Sequence, residues 1–347
     1  MPITSPIPRH PVPAPPVALT LGDVAGIGPE IVAKTLAARA AGGAPMPLVV
    51  GPLHAMREAA RRWAPGLRVQ VVDEPPAAAA APGVLPVLPV GDLPEDHARG
   101  AVSAATGRAA AQAVERAVAL ALAGRVAAVC TAPLHKEALA AAGVPFPGHT
   151  EMLAALCGAR DIAMMLATPR LRVMLVTVHC ALADAIRRLS AAEELRVIRL
   201  AARTLRAMGV AQPRIAVAGL NPHAGEGGLF GREDLELIAP AVAAARAEGL
   251  DASGPWPGDT VFMQARAGRF DLVVAQYHDQ GLIPVKLLGL ADGVNITAGL
   301  PFVRTSPDHG TAFDIAWKGE ADPASLANAL ALAERLAAGT ISSQEMP

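Results

Sequence analysis

The sequence predicts an α/β protein: a mostly parallel sheet with helices on both faces. Three observations carry this reading. Short apolar runs of strand length alternate with longer, Ala-rich stretches of helical period, the pattern of strands joined by crossover helices. The chain of 347 residues is long enough for one large α/β unit or for two domains. Hydrophobic residues make up 52% of it and aromatic ones only 3%, so the interior must be aliphatic, built from Ala, Val, Leu and Ile.

Residues 1–16 are rich in Pro with little to bury, which predicts a disordered tail, and the fold begins at Val17. The clearest strands are "VALTL" (17–21), "PLVVG" (47–51), "VAAVCTA" (126–132), "LRVMLVTV" (171–178), "RIAVAGL" (214–220) and "DLVVAQ" (271–276). After the first strand comes "LTLGDVAGIGPEI", in which Ile31 takes the third glycine position of GxGxxG. The dinucleotide fingerprint therefore fails, and a tight strand-to-helix turn that lines a site is expected, with Pro29 at the first helical position. "EPPAAAAAPGVLPVLPV" (74–90) reads as a surface connection or an edge strand, because Pro cannot donate to a central ladder. Ser190 and Glu193 form a capping box ahead of "ELRVIRLAARTLRAM", and Gly209 closes that helix.

The 30 Lys and Arg against 31 Asp and Glu leave a net charge of -1, so no global field draws nucleic acid or an anionic membrane. A small-molecule partner is the default. Cys130, Cys157 and Cys180 are odd in number and in no CxxC spacing, which fits a reducing cytoplasm rather than a disulfide framework. Neither a signal-type apolar region nor a run of about 18 apolar residues is present, so a cytoplasmic protein without a membrane span is expected.

Three strands end in histidine. "LRVMLVTV" leads to His179, "RIAVAGL" to Asn221-Pro222-His223, and "DLVVAQ" to Tyr277-His278. Ligands of open α/β sheets bind outside the carboxyl ends of strands, and three neutral imidazoles leave a coordination position open, as a catalytic metal site requires. Each His alone reads more often as a loop or capping residue; the joint pattern is what points to a divalent metal. "FPGHTEML" places His149 and Thr150 where a loop gives way to a helix, an end that favours anions, although Thr150 reads equally as a plain N-cap. Lys286, Asn295 and Arg304 lie in the turn-rich segments "PVKLLG", "GVNITAG" and "PFVRTSPDHG". They can clamp a phosphate or carboxylate, or stand as solvated surface groups.

The segments "GDVAGIGPEI", "TAPLHKEAL", "FPGHTEML", "GLNPHAGEGGLFG", "YHDQGLIPVK" and "GVNITAGLPFVRTSPDHGTAF" occur in that order. From about Val17 to Leu332 the chain thereby resembles the 4-hydroxythreonine-4-phosphate dehydrogenases of pyridoxal phosphate biosynthesis. The resemblance implies a two-lobed fold similar to isocitrate and isopropylmalate dehydrogenases, with the active site in the interlobe cleft. It implies a cofactor-side lobe of residues 17–135 with 290–347, and a metal, substrate and dimerisation lobe of residues 136–289. A homodimer that shares its active sites between subunits is expected.

By the same resemblance His179, His223 and His278 hold a divalent metal (zinc, cobalt or magnesium), with Asp279 orienting an imidazole. A small phosphorylated hydroxy acid is held by His149, Thr150, Lys286, Asn295 and Arg304. NAD, or NADP, lies along "SPDHGTAF", at Asp308, His309, Gly310 and Thr311. Lys286 and Asp259 are the candidate catalytic residues, although a turn-stabilising role is the more common one for an Asp placed like Asp259. The implied reaction oxidises 4-phosphohydroxy-L-threonine at C3 to 2-amino-3-oxo-4-phosphobutanoate, which loses CO2 to give 3-amino-2-oxopropyl phosphate.

Related enzymes oxidise 4-phospho-D-threonate or D-erythronate, and others aromatic dihydrodiols. Retention of Lys286, Asn295 and Arg304 favours a phosphorylated substrate, while the C2 substituent is not readable. A non-enzymatic metal- or phosphate-binding protein would keep the histidines but lose the "SPDHGTAF" loop, which is intact. Val24, where Pro is expected, and Trp317, where Gly is usual, depart from the pattern.

Overall fold

A computed structural model describes residues 14–289 and 293–339; most of the tail expected over residues 1–16 lies outside them. Twelve strands form one sheet among the described residues. In chain order they are β1 (Val17–Thr20), β2 (Leu48–Gly51), β3 (Arg68–Val71), β4 (Val84–Pro89), β5 (Ala128–Thr131), β6 (Ala163–Ala167), β7 (Arg172–Leu175), β8 (Ile215–Ala218), β9 (Ala252–Trp256), β10 (Leu272–Ala275), β11 (Val294–Ala298) and β12 (Val303–Pro307). Their order across the sheet is β3-β4-β2-β1-β5-β12-β11-β6-β7-β10-β8-β9. Pairing is parallel except in the middle, where β11 runs antiparallel to both β12 and β6, and β6 antiparallel to β7.

All six strands expected from apolar runs form, as β1, β2, β5, β7, β8 and β10. Three expectations need correction. The 74–90 stretch supplies β4, which is no edge strand: it pairs with β3 on one side and β2 on the other, and β3 is the edge. Val84, Leu85, Val87 and Leu88 carry enough apolar surface to hold a ladder that lacks the Pro86 donor. "GVNITAG" and "FVRTSP" are not turn segments but the central strands β11 and β12. "HDQGLIPVK" is a helix, His278–Lys286, despite Pro284 inside it. It lies so close on β7 that a Cβ at Gly281 would come within 2.5 Å of Leu175.

The two faces of the sheet are covered differently. One face carries a single continuous core, packed by helices Gly28–Ala41, Leu53–Trp63, Ala191–Ala207 and Ala324–Ala337. The helix Ala191–Ala207 is capped as expected, the Ser190 hydroxyl accepting from the Glu193 amide at 3.2 Å, with Gly209 at φ +88° beyond its end. The other face carries separate cores. One packs helix Ala104–Leu122 against β1, β2 and β5, and another packs helices Val261–Arg266 and His278–Lys286 against β7, β8 and β10. The gap between them lies over the central strands.

The glycine turn after β1 does not line that gap. Its amides reach backward, Asp23 N to the Pro133 carbonyl and Ile27 N to the Thr311 carbonyl, both at 2.9 Å, so it buttresses two segments from behind. Gly22 sits at φ +64°, and a Cβ there would meet the Pro133 carbonyl at 2.1 Å. Gly22→Ala combines a left-handed backbone with a backbone clash and is expected to lower stability by roughly 3 kcal/mol, read as the shift of a urea unfolding midpoint.

Candidate active site

The floor of the gap is the polar face of the central strands. Register places Arg304 opposite Thr297, and Asn295 opposite Ser306, so these side chains share one face. Arg304 is 3% exposed; its Nη1 donates to Thr297 Oγ1 at 3.0 Å and its Nη2 to Thr131 Oγ1 at 2.7 Å. The Nε has no partner, and no carboxylate pairs with the guanidinium among the described residues. Burial pushes its pKa down to about 10, which still leaves it charged at neutral pH. An uncompensated buried cation opening into a cavity has the charge and the spare donors that suit an anion.

That cavity, of about 620 Å³, brings together His149, Thr150, Lys286, Asn295 and Arg304, and with them His179, His278, Asp308, His309 and Gly310. One wall is the start of helix His149–Cys157. Its N-cap is Gly148, with no side-chain cap, so Thr150 is the second helical residue and not the N-cap. The first-turn amides of that helix are left without intrahelical partners. Burial, aided by Arg304, holds the His149 imidazole well below its ordinary pKa and therefore neutral, with Nε2 unpartnered. Opposite, the Lys286 ammonium lies 3.2 Å from Asp308, tying a residue expected for substrate to one expected for cofactor. Thr311 is buried outside the cavity lining, its carbonyl taken by Ile27.

The imidazoles divide into a pair and a single. His179 and His278 stand together, ring centroids 5.8 Å apart, because pairing of β7 with β10 continues past both strands through Val176 N to the Ala275 carbonyl. Burial first, and the Lys136 charge next, lower the pKa of His179, which keeps a nitrogen lone pair free at neutral pH. His278 directs Nδ1 at the Asp279 carboxylate, 2.7 Å away, so Asp279 does orient this ring and leaves Nε2 outward. His223 stands apart. It lines a neighbouring cavity of about 650 Å³ with Asp259, Tyr277 and Asp279, and Asp259 does not reach the cavity of Lys286. Among the described residues no three His, Cys, Asp or Glu side chains converge closely enough to hold a metal ion.

The segment that carries His223 is strained. Residues 223–227 all have positive φ, including three that are not glycine: His223 at 53°, Ala224 at 52° and Glu226 at 43°. A left-handed turn costs roughly 1–2 kcal/mol for each such residue, so something must hold it. Asp234 does. Fully buried, it accepts from the Leu220 amide (2.8 Å), the Asn221 amide (3.1 Å) and Asn221 Nδ2 (2.9 Å). Two glutamines then tie this segment to His278. Gln280 donates to the Gly219 carbonyl at 2.6 Å and accepts from the Gln276 amide at 2.7 Å, while Gln276 donates to the Ala218 carbonyl at 2.8 Å. Sequence reasoning missed Asp234, Gln276 and Gln280; Gln276 ends "DLVVAQ" and Gln280 lies in "YHDQGLIPVK", whereas Asp234 gave no signal.

A family model described as pyridoxal phosphate biosynthetic protein PdxA matches residues 44–333. A 4-hydroxythreonine-4-phosphate dehydrogenase of Beijerinckia indica is 56% identical over 326 residues, covering 92% of this chain and 95% of its own. A D-threonate 4-phosphate dehydrogenase of Salmonella typhimurium is 51% identical over 324 residues, covering 92% and 98%. A crystal structure of 4-hydroxythreonine-4-phosphate dehydrogenase from Klebsiella pneumoniae superposes with a TM-score of 0.86 at 50% identity, covering 93% of this chain and all of that one. The class is thus a dehydrogenase, an oxidoreductase acting on a CH–OH group. Within that class, the chain belongs to the PdxA family of pyridoxal phosphate biosynthetic proteins.

Behind the glutamine brace, Glu194 is fully buried near Gln276, and burial raises its pKa to about 8 from an ordinary 4.5. Between those values the native state binds a proton that the unfolded state has released. Stability therefore falls as pH rises through the window and levels off above it. His149 acts only below its ordinary 6.5, where acid opposes the native state, so between about 6.5 and 8 the slope belongs to Glu194. Glu194→Gln is expected to flatten the melting temperature across that range and to exceed the unmodified protein above pH 8, as scanning calorimetry would read.

Proposed function

We propose that this dehydrogenase oxidises 4-phosphohydroxy-L-threonine at C3 with NAD or NADP, and that the β-keto acid formed loses CO2 to give 3-amino-2-oxopropyl phosphate. The observation that carries the phosphorylated substrate is Arg304, a buried guanidinium with an unpartnered Nε and no carboxylate, beside Asn295 and the uncapped start of helix His149–Cys157. A phosphate dianion satisfies both the charge and the unused donors. An aromatic dihydrodiol supplies neither.

His149 and Thr150 complete the phosphate side, His149 acting as a neutral group. Lys286 is assigned to the substrate, with Asp308 orienting its ammonium. The divalent metal (zinc, cobalt or magnesium) fits His179, which burial keeps neutral, and His278, whose ring Asp279 orients, with His223 as third donor, and would supply Lewis acidity at the C3 hydroxyl. The nicotinamide cofactor, placed along Asp308, His309, Gly310 and Thr311, would serve as the two-electron acceptor.

Since His223 does not join the other two within one chain, we assign completion of each site to a second copy in a homodimer. In support, Leu229 (74% exposed) and Leu287 (81% exposed) flank this region, an apolar surface suited to burial between subunits. Asp259, beside His223, belongs to the part of the site so completed. The lobes we propose are residues 17–135 with 290–347, and residues 136–289, their strands falling on either side of the β11/β6 pairing.

A second reading, oxidation of 4-phospho-D-threonate, is favoured by the names of relatives 50–51% identical to this chain. The test follows NADH formation with a divalent metal added, comparing 4-phosphohydroxy-L-threonine, 4-phospho-D-threonate and 4-phospho-D-erythronate. Turnover of the amino substrate, abolished by His223→Ala, is the expected result; turnover of the sugar acids alone selects the second reading, and turnover of none rejects both. Arg304→Met should lower kcat/KM by roughly a hundredfold or more while leaving the melting temperature unchanged or raised, because it removes a buried unpaired charge.

A further inference from the structure

The strands that deliver the histidines carry a second charged cluster at their other ends. Arg172 opens β7, Arg214 immediately precedes β8, and Asp271 immediately precedes β10. With Arg170 and Arg266 they line a separate cavity of about 410 Å³, within the range of small-molecule sites. From Arg172 to His179 is seven residues of extended chain, on the order of 20 Å, so this cavity is distinct from the one around Arg304.

Its charges do not balance. Asp271 takes Arg214 in a two-pronged contact, Oδ1 to Nη2 at 2.9 Å and Oδ2 to Nε at 3.1 Å, and Asp251 adds negative charge near Arg214. Arg172 spends Nη1 on the Asp271 backbone carbonyl at 3.2 Å, and its buried Nε has no partner. Arg170 and Arg266 form no ion pair among the described residues. The Asp271 charge also acts on Arg172, so one lining carboxylate serves two guanidiniums while Arg170 and Arg266 face the same cavity with none, although ordinary packing scatters like charges rather than gathering them. Leu171, Ala265 and Phe270 give the remaining wall an apolar character suited to a carbon skeleton.

We propose that this cavity is a second anion site, which binds the phosphoryl group of a small phosphorylated metabolite away from the reaction centre. Planar guanidiniums match phosphate oxygens in pairs, and the clustered charge selects a multiply charged phosphate over a single carboxylate. The cavity exceeds what one phosphate needs, which leaves room for the rest of a metabolite.

The test is calorimetric titration of the full chain with inorganic pyrophosphate, and separately with inorganic phosphate. Two sites per chain are expected for pyrophosphate in the unmodified protein, and one in Arg170→Glu/Arg266→Glu, whose exposed positions leave the melting temperature and the oxidation rate unchanged. Arg304→Met should remove the other site and keep this one, and adding Arg170→Glu/Arg266→Glu to it should weaken the remaining binding at least tenfold. Tighter binding of pyrophosphate than of phosphate identifies a diphosphate-bearing metabolite, and equal binding a monoester. A single site lost with Arg304→Met and untouched by the paired Glu substitutions overturns the proposal, as does no binding at all.

Discussion

A guanidinium held inside a sheet with no carboxylate to neutralise it is the constraint on which this molecule turns. Leaving such a charge buried and unpaired costs several kcal/mol, an expense that a fold tolerates only where its aliphatic cores are large and the ligand returns part of it. The sheet meets that cost by dividing labour between its faces. Below Arg304, Cys130, Thr305, Ile296 and Met165 turn toward the continuous core, with the Thr305 hydroxyl donating to the Ala329 carbonyl at 2.8 Å. Above it, the two apolar cores stop short and leave the polar row open. The antiparallel strands in the middle make this possible, because one face of an antiparallel pair can stay polar while strands in a fully parallel sheet are buried on both.

A second constraint concerns the histidines. Metal chemistry asks for imidazoles that are neutral and aimed, and the chain meets the two requirements by different means. Neutrality at His179 and His149 comes from burial beside cationic groups. Aim at His278 comes from one carboxylate, and at His223 from a left-handed turn clamped by Asp234. Strain in that turn is stored where the surrounding hydrogen bonds overdetermine it, which is the pattern of a functional segment rather than of a loose loop. The glutamine brace then makes the ends of β8 and β10 a single unit, so the position of His223 depends on that of His278.

Much of this was legible in the sequence. Apolar runs ending in His located β7, β8 and β10 and the groups at their ends, since burial on both faces writes itself as a continuous run. The polar residues of the cavity were found as types but misplaced in structure: Asn295 and Arg304 sit among Gly, Pro and Thr, which read as turns. They are strand residues because β6 and β5, more than a hundred residues earlier for Arg304 and β5, pair with their strands, and no local pattern encodes a partner so distant. Asp234 was illegible for a similar reason. Its role lies in three donors some 13 and 14 residues away, and nothing in "GREDLEL" separates it from the acids beside it.

Val24 and Trp317, the two expected departures from the family pattern, meet in the structure. Trp317 takes φ +63°, a region that suits the Gly usual there and is strained for so large a side chain. Yet its indole Nε1 donates to the carbonyl of Val24 at 2.8 Å, and the Arg99 guanidinium lies 4.3 Å over its ring. Burial of the ring and the indole hydrogen bond, together with the cation over its face, offset the backbone strain. Neither residue lines the cavity, so the pair bears on how firmly the turn after β1 is held rather than on the reaction. The indole bond ends on a main-chain carbonyl, so Trp317 ties down the backbone of the turn after β1 whatever side chain position 24 carries, while the turn closes behind Pro133 and Thr311.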